Sequence, residues 1–133
     1  MKIVIDTNVV ISAVFFGGIP LKVIQAVAGH RVSACANSEI VQEYNDIFSA
    51  MIFRKHKWPR YNVFPYFLDQ LEIVPQNADV QFCRDPDDDK FLSCAVDAKA
   101  LYIVSGDKDL LDIESYERIE IITAAEFCAR YGL

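Results

Sequence analysis

The sequence predicts an α/β fold with a mainly parallel sheet of about five strands. Short apolar runs rich in β-branched residues alternate along the chain with segments whose apolar residues recur at helical spacing. Such alternation builds crossovers between parallel strands, and the crossover helices cover both faces of the sheet. The chain has 133 residues, of which 53% are hydrophobic, so we expect one domain over residues 1–133.

The first third of the chain predicts two strands with two helices between them. Lys2–Asp6 is a short β-branched run that ends on a carboxylate, which fits a strand buried within a sheet. Apolar residues from Leu21 to Ala28 have helical spacing, and Gly17–Pro20 forms a turn before them. We therefore predict a strand at 2–6, helices at 8–16 and 21–28, and a strand at 31–36.

The middle third predicts a long helix, an aromatic-rich helix and a third strand. Apolar residues from Ile40 to Met51 follow one helical stripe, and Ser38 stands where an N-cap would begin that helix. The third strand, at 71–75, contains Pro75, which favours a sheet edge. The predicted elements are helices at 38–51 and 61–70 and a strand at 71–75.

The last third repeats the alternation. Acidic residues crowd the start of a helix predicted at 87–99, where the helix dipole favours negative charge. Thr123 and Glu126 have the spacing of a capping box, which predicts a final helix. Between them we predict strands at 101–104 and 118–122 and a short turn or helix at 107–111.

Charge and cysteine content restrict the function. The net charge of -6 argues against a protein that coats nucleic acid, although Arg54–Arg60 holds four permanent positive charges. The four cysteines form no C-x-x-C pair and are expected to be reduced structural thiols. No apolar run approaches the roughly 20 residues of a spanning helix, so we expect a soluble, cytoplasmic protein with no membrane partner.

Two carboxylates follow predicted strands. Asp6 ends the first strand, and Asp107 comes shortly after the fourth. Sites in parallel sheets gather beyond the C-terminal ends of the strands, and an unpaired buried charge is costly to the fold. The structural alternatives are a helix cap for Asp6, with Thr7 and Asn8 as rivals, and a turn former for Asp107.

Further acids come from two helices. Glu43 flanks the apolar stripe of the 38–51 helix, where the alternative is a solvated surface residue. In the run 85–89, caps and solvated charges would account for at least two of the four acids. Asp89 is favoured as the inward one because it stands three residues before Leu92 on the helix.

Carboxylates that converge would repel one another unless a cation neutralised them. All-oxygen ligands select Mg²⁺ or Mn²⁺, with Ca²⁺ possible, and His30 and His56 are the only histidines. Such an ion serves phosphate chemistry, with one ion or two. The chain has no phosphate-binding loop, nucleophile elbow or dinucleotide fingerprint.

Several short stretches, in their order and spacing, resemble the PIN domain over essentially the whole chain. More narrowly, they are similar to its bacterial and archaeal branch of VapC-like toxin components of toxin–antitoxin systems. The stretches are Asp6-Thr7-Asn8-Val9-Val10, Ser12-Ala13, Gly17-Gly18 with Pro20, Ser38 with Glu43-Tyr44, Asp85-Pro86-Asp87-Asp88-Asp89-Lys90-Phe91-Leu92 and Ser105-Gly106-Asp107-Lys108-Asp109-Leu110-Leu111.

The resemblance implies a three-layer α/β/α fold and Mg²⁺- or Mn²⁺-dependent cleavage of RNA. Our hypothesis for the mechanism is in-line attack on the phosphodiester by metal-activated water, which would leave a 5′-phosphate and a 3′-hydroxyl. It also implies a homodimer or higher homo-oligomer and, in many cases, a small antitoxin partner. By position, the residues that match the metal-binding acids of the family are Asp6, Glu43, Asp89 and Asp107. Auxiliary positions are Asn8, Ser105 and Asp109, and Asp87 or Asp88 could share the work of the third acid.

The basic segment could serve the same substrate. Arg54, Lys55, Lys57 and Arg60 would contact the RNA backbone, and Trp58 would stack on a base. The alternative is a solvated loop with Trp58 in the core or at a dimer interface. Two other functions stay open: a non-catalytic binding or regulatory module of PIN-like fold, and another Mg²⁺-dependent phosphoryl-transfer enzyme such as a phosphatase.

Overall fold

A central six-stranded sheet runs through the protein in the order β3-β2-β1-β4-β6-β5. The computed structural model describes all residues, 1–133. All neighbouring strands are parallel except β5, which pairs antiparallel with β6. The strands are β1 (Lys2–Ile5), β2 (Ser33–Ala36), β3 (Glu72–Ile73), β4 (Tyr102–Val104), β5 (Ser115–Tyr116) and β6 (Ile119–Ile122).

Helices cover the sheet and complete the three layers that were predicted. Helix α5 packs against β1, β2 and β4, whereas α2 packs against α1, α4 and α7. The helices are α1 (Thr7–Phe16), α2 (Gly18–Ala28), α3 (Ser38–Phe53), α4 (Phe64–Asp69), α5 (Asp89–Ala98), α6 (Lys108–Leu111) and α7 (Ala124–Tyr131). A short 3-10 helix, Pro86–Asp88, precedes α5.

Strand β1 is the centre of the core. Ile3, Val4 and Ile5 are all 0% exposed because a strand lies on each side and helices lie above and below. In the register of the sheet Ile5 pairs with Val104 of β4, which in turn pairs with Ile122 of β6. These three strands therefore end at the same edge, and the residues that follow them must lie close together.

The mainly parallel sheet is confirmed, and residues 115–116 add a short antiparallel edge strand to the five predicted strands. Some local expectations were wrong. Asn37, and not Ser38, caps α3, since the Asn37 side chain accepts a 2.9 Å hydrogen bond from Ile40 N–H. The expected helix at 61–70 is shortened to α4, and α2 begins at Gly18, three residues before Leu21.

Two further features concern the cysteines and the lengths of the helices. All four cysteines are free thiols, as expected from their scattered positions. No single helix is long and apolar enough to cross a membrane, and α1 and α2, which reach that length only together, are bent by 102° relative to each other.

Candidate metal centre

Asp6 and Asp107 meet at the C-terminal edge of the sheet. Asp6 follows β1 and is 4% exposed. The fully buried Ser105 follows β4; its hydroxyl donates to Asp6 Oδ2 at 2.7 Å and accepts from the N–H of Asp107 at 2.9 Å. Ser105 therefore links the Asp6 carboxylate to the main chain of Asp107.

Asp6 and Asp107 differ in whether the side chain caps the helix that follows. Asp6 occupies the N-cap position of α1, but its side chain makes no capping hydrogen bond. Asp107 does cap α6, because its Oδ1 accepts from Asp109 N–H at 3.1 Å. The Asn8 N–H is nevertheless close enough to the Asp6 carboxylate to lower its pKa, while Asp107 has one oxygen engaged.

The environment of Asp6 opposes its ionisation. Burial raises its pKa, and the charges of Asp107 and Glu43 raise it further, although the hydrogen bond from Ser105 acts in the opposite direction. A buried carboxyl with two acidic neighbours is costly to ionise, and an added cation would stabilise its charged form. The edge of the sheet is therefore a site of unbalanced negative charge.

Asp88 is the acid in this cluster whose carboxyl group is least satisfied by its surroundings. It ends the 3-10 helix, and its Oδ2 is buried without any hydrogen-bond partner. Burial and the adjacent Asp107 carboxylate, with further contributions from Asp6 and Asp85, raise the pKa of Asp88 to about 7. A buried polar atom without a partner costs the fold free energy and points to a missing ligand.

Asp89, expected as the third metal ligand, has one carboxylate oxygen engaged by the main chain. Its Oδ1 accepts from the N–H groups of Cys83 at 2.7 Å and Phe82 at 3.1 Å. Burial alone would raise the pKa of Asp89, but these backbone donors lower it below its ordinary value. The carboxylate of Asp89 thus anchors the segment before the 3-10 helix, and Asp88 takes the place beside Asp107.

Glu43 reaches the site from α3 and is held at both oxygens. Oε1 lies 2.9 Å from Lys90 Nζ, and Oε2 accepts a short hydrogen bond from the Thr7 hydroxyl. The next residue, Tyr44, is fully buried and donates its hydroxyl to the carbonyl oxygen of Ile5. Together these contacts fix the first turns of α3 at the end of β1.

The auxiliary positions are scattered around this cluster. Asp87 is mostly exposed and lies 3.1 Å from Lys90 Nζ. Asp109 Oδ1 accepts from Arg84 at 3.1 Å, on the outer rim. Asn8 is exposed and, with Ser105, lines an adjoining cavity of about 440 Å³.

The basic segment is an exposed loop, and it lies apart from the acids. Trp58 is 74% exposed, so it does not belong to the core. Glu43 and Arg54 are eleven residues apart on and just after α3, which corresponds to about 16 Å along the helix. The exposed cations of the segment are Arg54, Lys55, Lys57 and Arg60.

Sequence reasoning missed Lys90 and gave Thr7 only a capping role. Lys90 lies in the first turn of α5, where a positive charge is unfavourable to the helix dipole. A lysine at this unfavourable position, inside an acidic run, was the feature of the sequence that could have identified Lys90. Thr7 offered no such feature, because its residue type and position fit an N-cap equally well.

The donor set fits a hard divalent cation. No three acidic, histidine or cysteine side chains converge on a common point. This spread is expected for carboxylates that repel one another, and Mg²⁺ usually retains several waters and needs one or two carboxylates. The open Asp88 Oδ2 and the carboxylates of Asp6 and Asp107 supply oxygen ligands of the type that Mg²⁺ and Mn²⁺ select.

Comparisons with known proteins identify the family and the fold of the chain. A family model described as a PIN domain matches residues 2–109. The uncharacterized protein MJ1680 of Methanocaldococcus jannaschii is 32% identical over 117 residues, which cover 85% of this chain and 75% of the relative. A chain in the crystal structure of VapBC2 from Rickettsia felis, bound to a DNA fragment from their promoter, has a TM-score of 0.60 at 14% identity, covering 91% of this chain and 97% of that one.

Proposed function

Because the chain belongs to the PIN-domain family, whose members are generally nucleases, we propose that it is a ribonuclease dependent on Mg²⁺ or Mn²⁺. One observation carries the proposal: the buried, unpartnered Asp88 Oδ2, in a carboxyl group that lies beside Asp107 and whose pKa is raised to about 7. Carboxylates that lie together repel one another, and their unpartnered oxygens are the ligands that a divalent cation prefers.

In this proposal Asp6, Asp88 and Asp107 would hold the ion, and Glu43 would ligate it or orient the attacking water. When bound, the ion supplies Lewis-acid activation of water and neutralises the charge of the leaving oxygen. Ser105 keeps Asp6 and Asp107 in position through its two hydrogen bonds. Thr7 fixes Glu43 Oε2, so the Glu43 carboxylate is already in position before the substrate binds.

The choice of RNA and of further partners rests on the resemblance to VapC-like ribonucleases. A toxin of this kind would bind a small antitoxin, form a homodimer or higher homo-oligomer, and act in the cytoplasm. The solved neighbour is itself a VapBC2 assembly on promoter DNA, which supports an antitoxin partner here. We also propose that residues 1–133 act as one PIN domain.

The direct test is cleavage of a single-stranded RNA by the purified chain. We expect cleavage with Mn²⁺ or Mg²⁺, none in excess EDTA, and full recovery when the ion is restored. Single-stranded DNA of the same sequence serves as the control for substrate class. Cleavage that persists in EDTA would exclude the metal mechanism, and equal cleavage of DNA would exclude RNA specificity.

The basic segment is proposed to bind the RNA backbone. In an Asp6→Asn background that separates binding from cleavage, replacing Lys55 and Lys57 together by glutamine should weaken RNA binding. If each lysine neutralises one phosphate, the slope of log affinity against log salt becomes shallower by about 1.4. This is measured by fluorescence anisotropy at several salt concentrations.

The matched control replaces two exposed cations on the far side of the molecule. Arg31 precedes β2 and Lys99 precedes β4, so both lie at the edge of the sheet opposite to the site. Their double glutamine variant should keep the slope of the parent protein. If the segment variant and this control behave alike, the segment does not contact RNA.

A further inference from the structure

Lys90 is a buried cation next to the acidic site. Its side chain is 5% exposed, and Nζ lies 2.9 Å from Glu43 Oε1 and 3.1 Å from Asp87 Oδ1. Nζ also donates to the carbonyl oxygen of Asp87 at 2.6 Å. Lysine is almost never this buried unless it is paired, and here all three ammonium hydrogens have an acceptor.

The helix does not account for this lysine. Lys90 lies in the first turn of α5, where the helix dipole disfavours a positive charge. What the ammonium does instead is join two elements of the site. It binds Glu43 on α3 and the main chain of Asp87, which immediately precedes Asp88 in the 3-10 helix.

Glu43 is closed to a further cation while Lys90 is in place. One of its oxygens faces the ammonium and the other accepts the Thr7 hydroxyl. In a two-ion site the ions lie about 3.5–4 Å apart and draw on neighbouring carboxylate oxygens. A second ion at Glu43 would have to displace a buried, hydrogen-bonded ammonium, whereas Asp88 Oδ2 is open to the first.

We propose that Lys90 is a built-in cation of the acidic site, which fixes Glu43 and stands in the place of a second divalent ion. Each chain then binds a single Mg²⁺ or Mn²⁺, at Asp6, Asp88 and Asp107, and of the two roles proposed for Glu43 only the orientation of the attacking water is kept. The inference rests on the proposed function, since it specifies how the metal site of that ribonuclease is composed. Lys90 is a positioning residue, because it contacts Glu43 and Asp87 and not the substrate.

The experiment is a calorimetric titration of the full chain with Mn²⁺ in the absence of RNA. We expect one Mn²⁺ per wild-type chain. Lys90→Met removes the ammonium and frees Glu43 Oε1, so a second Mn²⁺ should bind. Lys90→Arg keeps the charge and should restore a count of one, which a purely structural role of the side chain would not require.

Arg84→Met is the matched control. Arg84 is also a cation paired with acids at the rim of the site, 3.1 Å from Asp109, but its side chain is 70% exposed. Loss of this charge should leave the count at one. A gain of a second ion in both Arg84→Met and Lys90→Met would reduce the effect to general charge balance and overturn the proposal.

The outcomes are separable from those of the proposed function. Two Mn²⁺ bound by the wild type, or one bound by Lys90→Met with wild-type affinity, overturns the role of Lys90 while RNA cleavage still stands. No Mn²⁺ bound by the folded wild type overturns the proposed function itself. If Lys90→Met fails to fold, as judged by circular dichroism, Lys90→Gln replaces it: its neutral amide is easily displaced from Glu43 by a cation, so it too should bind a second Mn²⁺, and a count of one overturns the role of Lys90.

Discussion

Replacing Asp88 by asparagine is expected to lower kcat/KM for RNA cleavage by roughly 100-fold or more, whereas the same change at Asp89 should leave it within about threefold of the wild type. Asparagine at 88 keeps the shape but removes the charge that would bind the ion at the open Oδ2. Asparagine at 89 can still accept the N–H groups of Phe82 and Cys83.

The two variants are matched in chemistry and differ by one position. Asp6→Asn and Asp107→Asn should fall with Asp88→Asn, since the three carboxylates share the same edge of the sheet. The measurement is single-turnover cleavage of a labelled RNA at saturating Mn²⁺, with folding checked by circular dichroism. Asp89→Asn losing as much activity as Asp88→Asn would return the third ligand to position 89.

Metal ions should stabilise the protein strongly near neutral pH. Asp88 has a pKa of about 7 in the folded chain against an ordinary value of 3.8, because of burial and the charges of Asp107, Asp6 and Asp85. The folded state therefore binds more protons than the unfolded state between about pH 4 and 7, and the stability contributed by this group falls as the pH rises through that window. Asp6, whose pKa is also raised, acts in the same direction.

In EDTA we therefore expect Tm to be lower at pH 8 than at pH 5. Mn²⁺ at about 100 times its dissociation constant adds about 2.7 kcal/mol, which raises Tm at pH 8 by about 10 °C for a domain of this size. Asp88→Asn should reduce both the pH dependence and the response to Mn²⁺. A Tm in EDTA that rises from pH 5 to pH 8, or a wild type that ignores Mn²⁺, contradicts this expectation.

The fold could be predicted from sequence because its strands are short, apolar and β-branched. Ile3, Val4 and Ile5 are buried on both faces as the run itself indicated. The edge strand Ser115–Tyr116 has no such pattern, since it is two residues long and its pairing with β6 depends on the turn between them. The cap of α3 was assigned one residue late because Asn37 and Ser38 are both good caps and only the geometry distinguishes them.

The proximity of Asp6 and Asp107 could be predicted from the topology of the sheet. The directions of the side chains in the acidic run could not. The register of β1 with β4 puts Asp6 next to Ser105 and hence near Asp107. In the acidic run after residue 84, helical spacing favoured Asp89. The 3-10 helix before α5 gives these side chains directions that differ from those of a continuous α-helix. Asp89 therefore contacts the backbone of Cys83, while Asp88 lies beside Asp107.

The most direct test of the account is where Mn²⁺ binds in a crystal of the wild-type chain, located by its anomalous scattering. We predict one strong peak per chain at the C-terminal edge of the sheet, with carboxylate oxygens of Asp6, Asp88 and Asp107 at metal-ligand distances and Lys90 still bound to Glu43. A peak held by Asp89 in place of Asp88, or none at this edge in crystals soaked at saturating Mn²⁺, would contradict it.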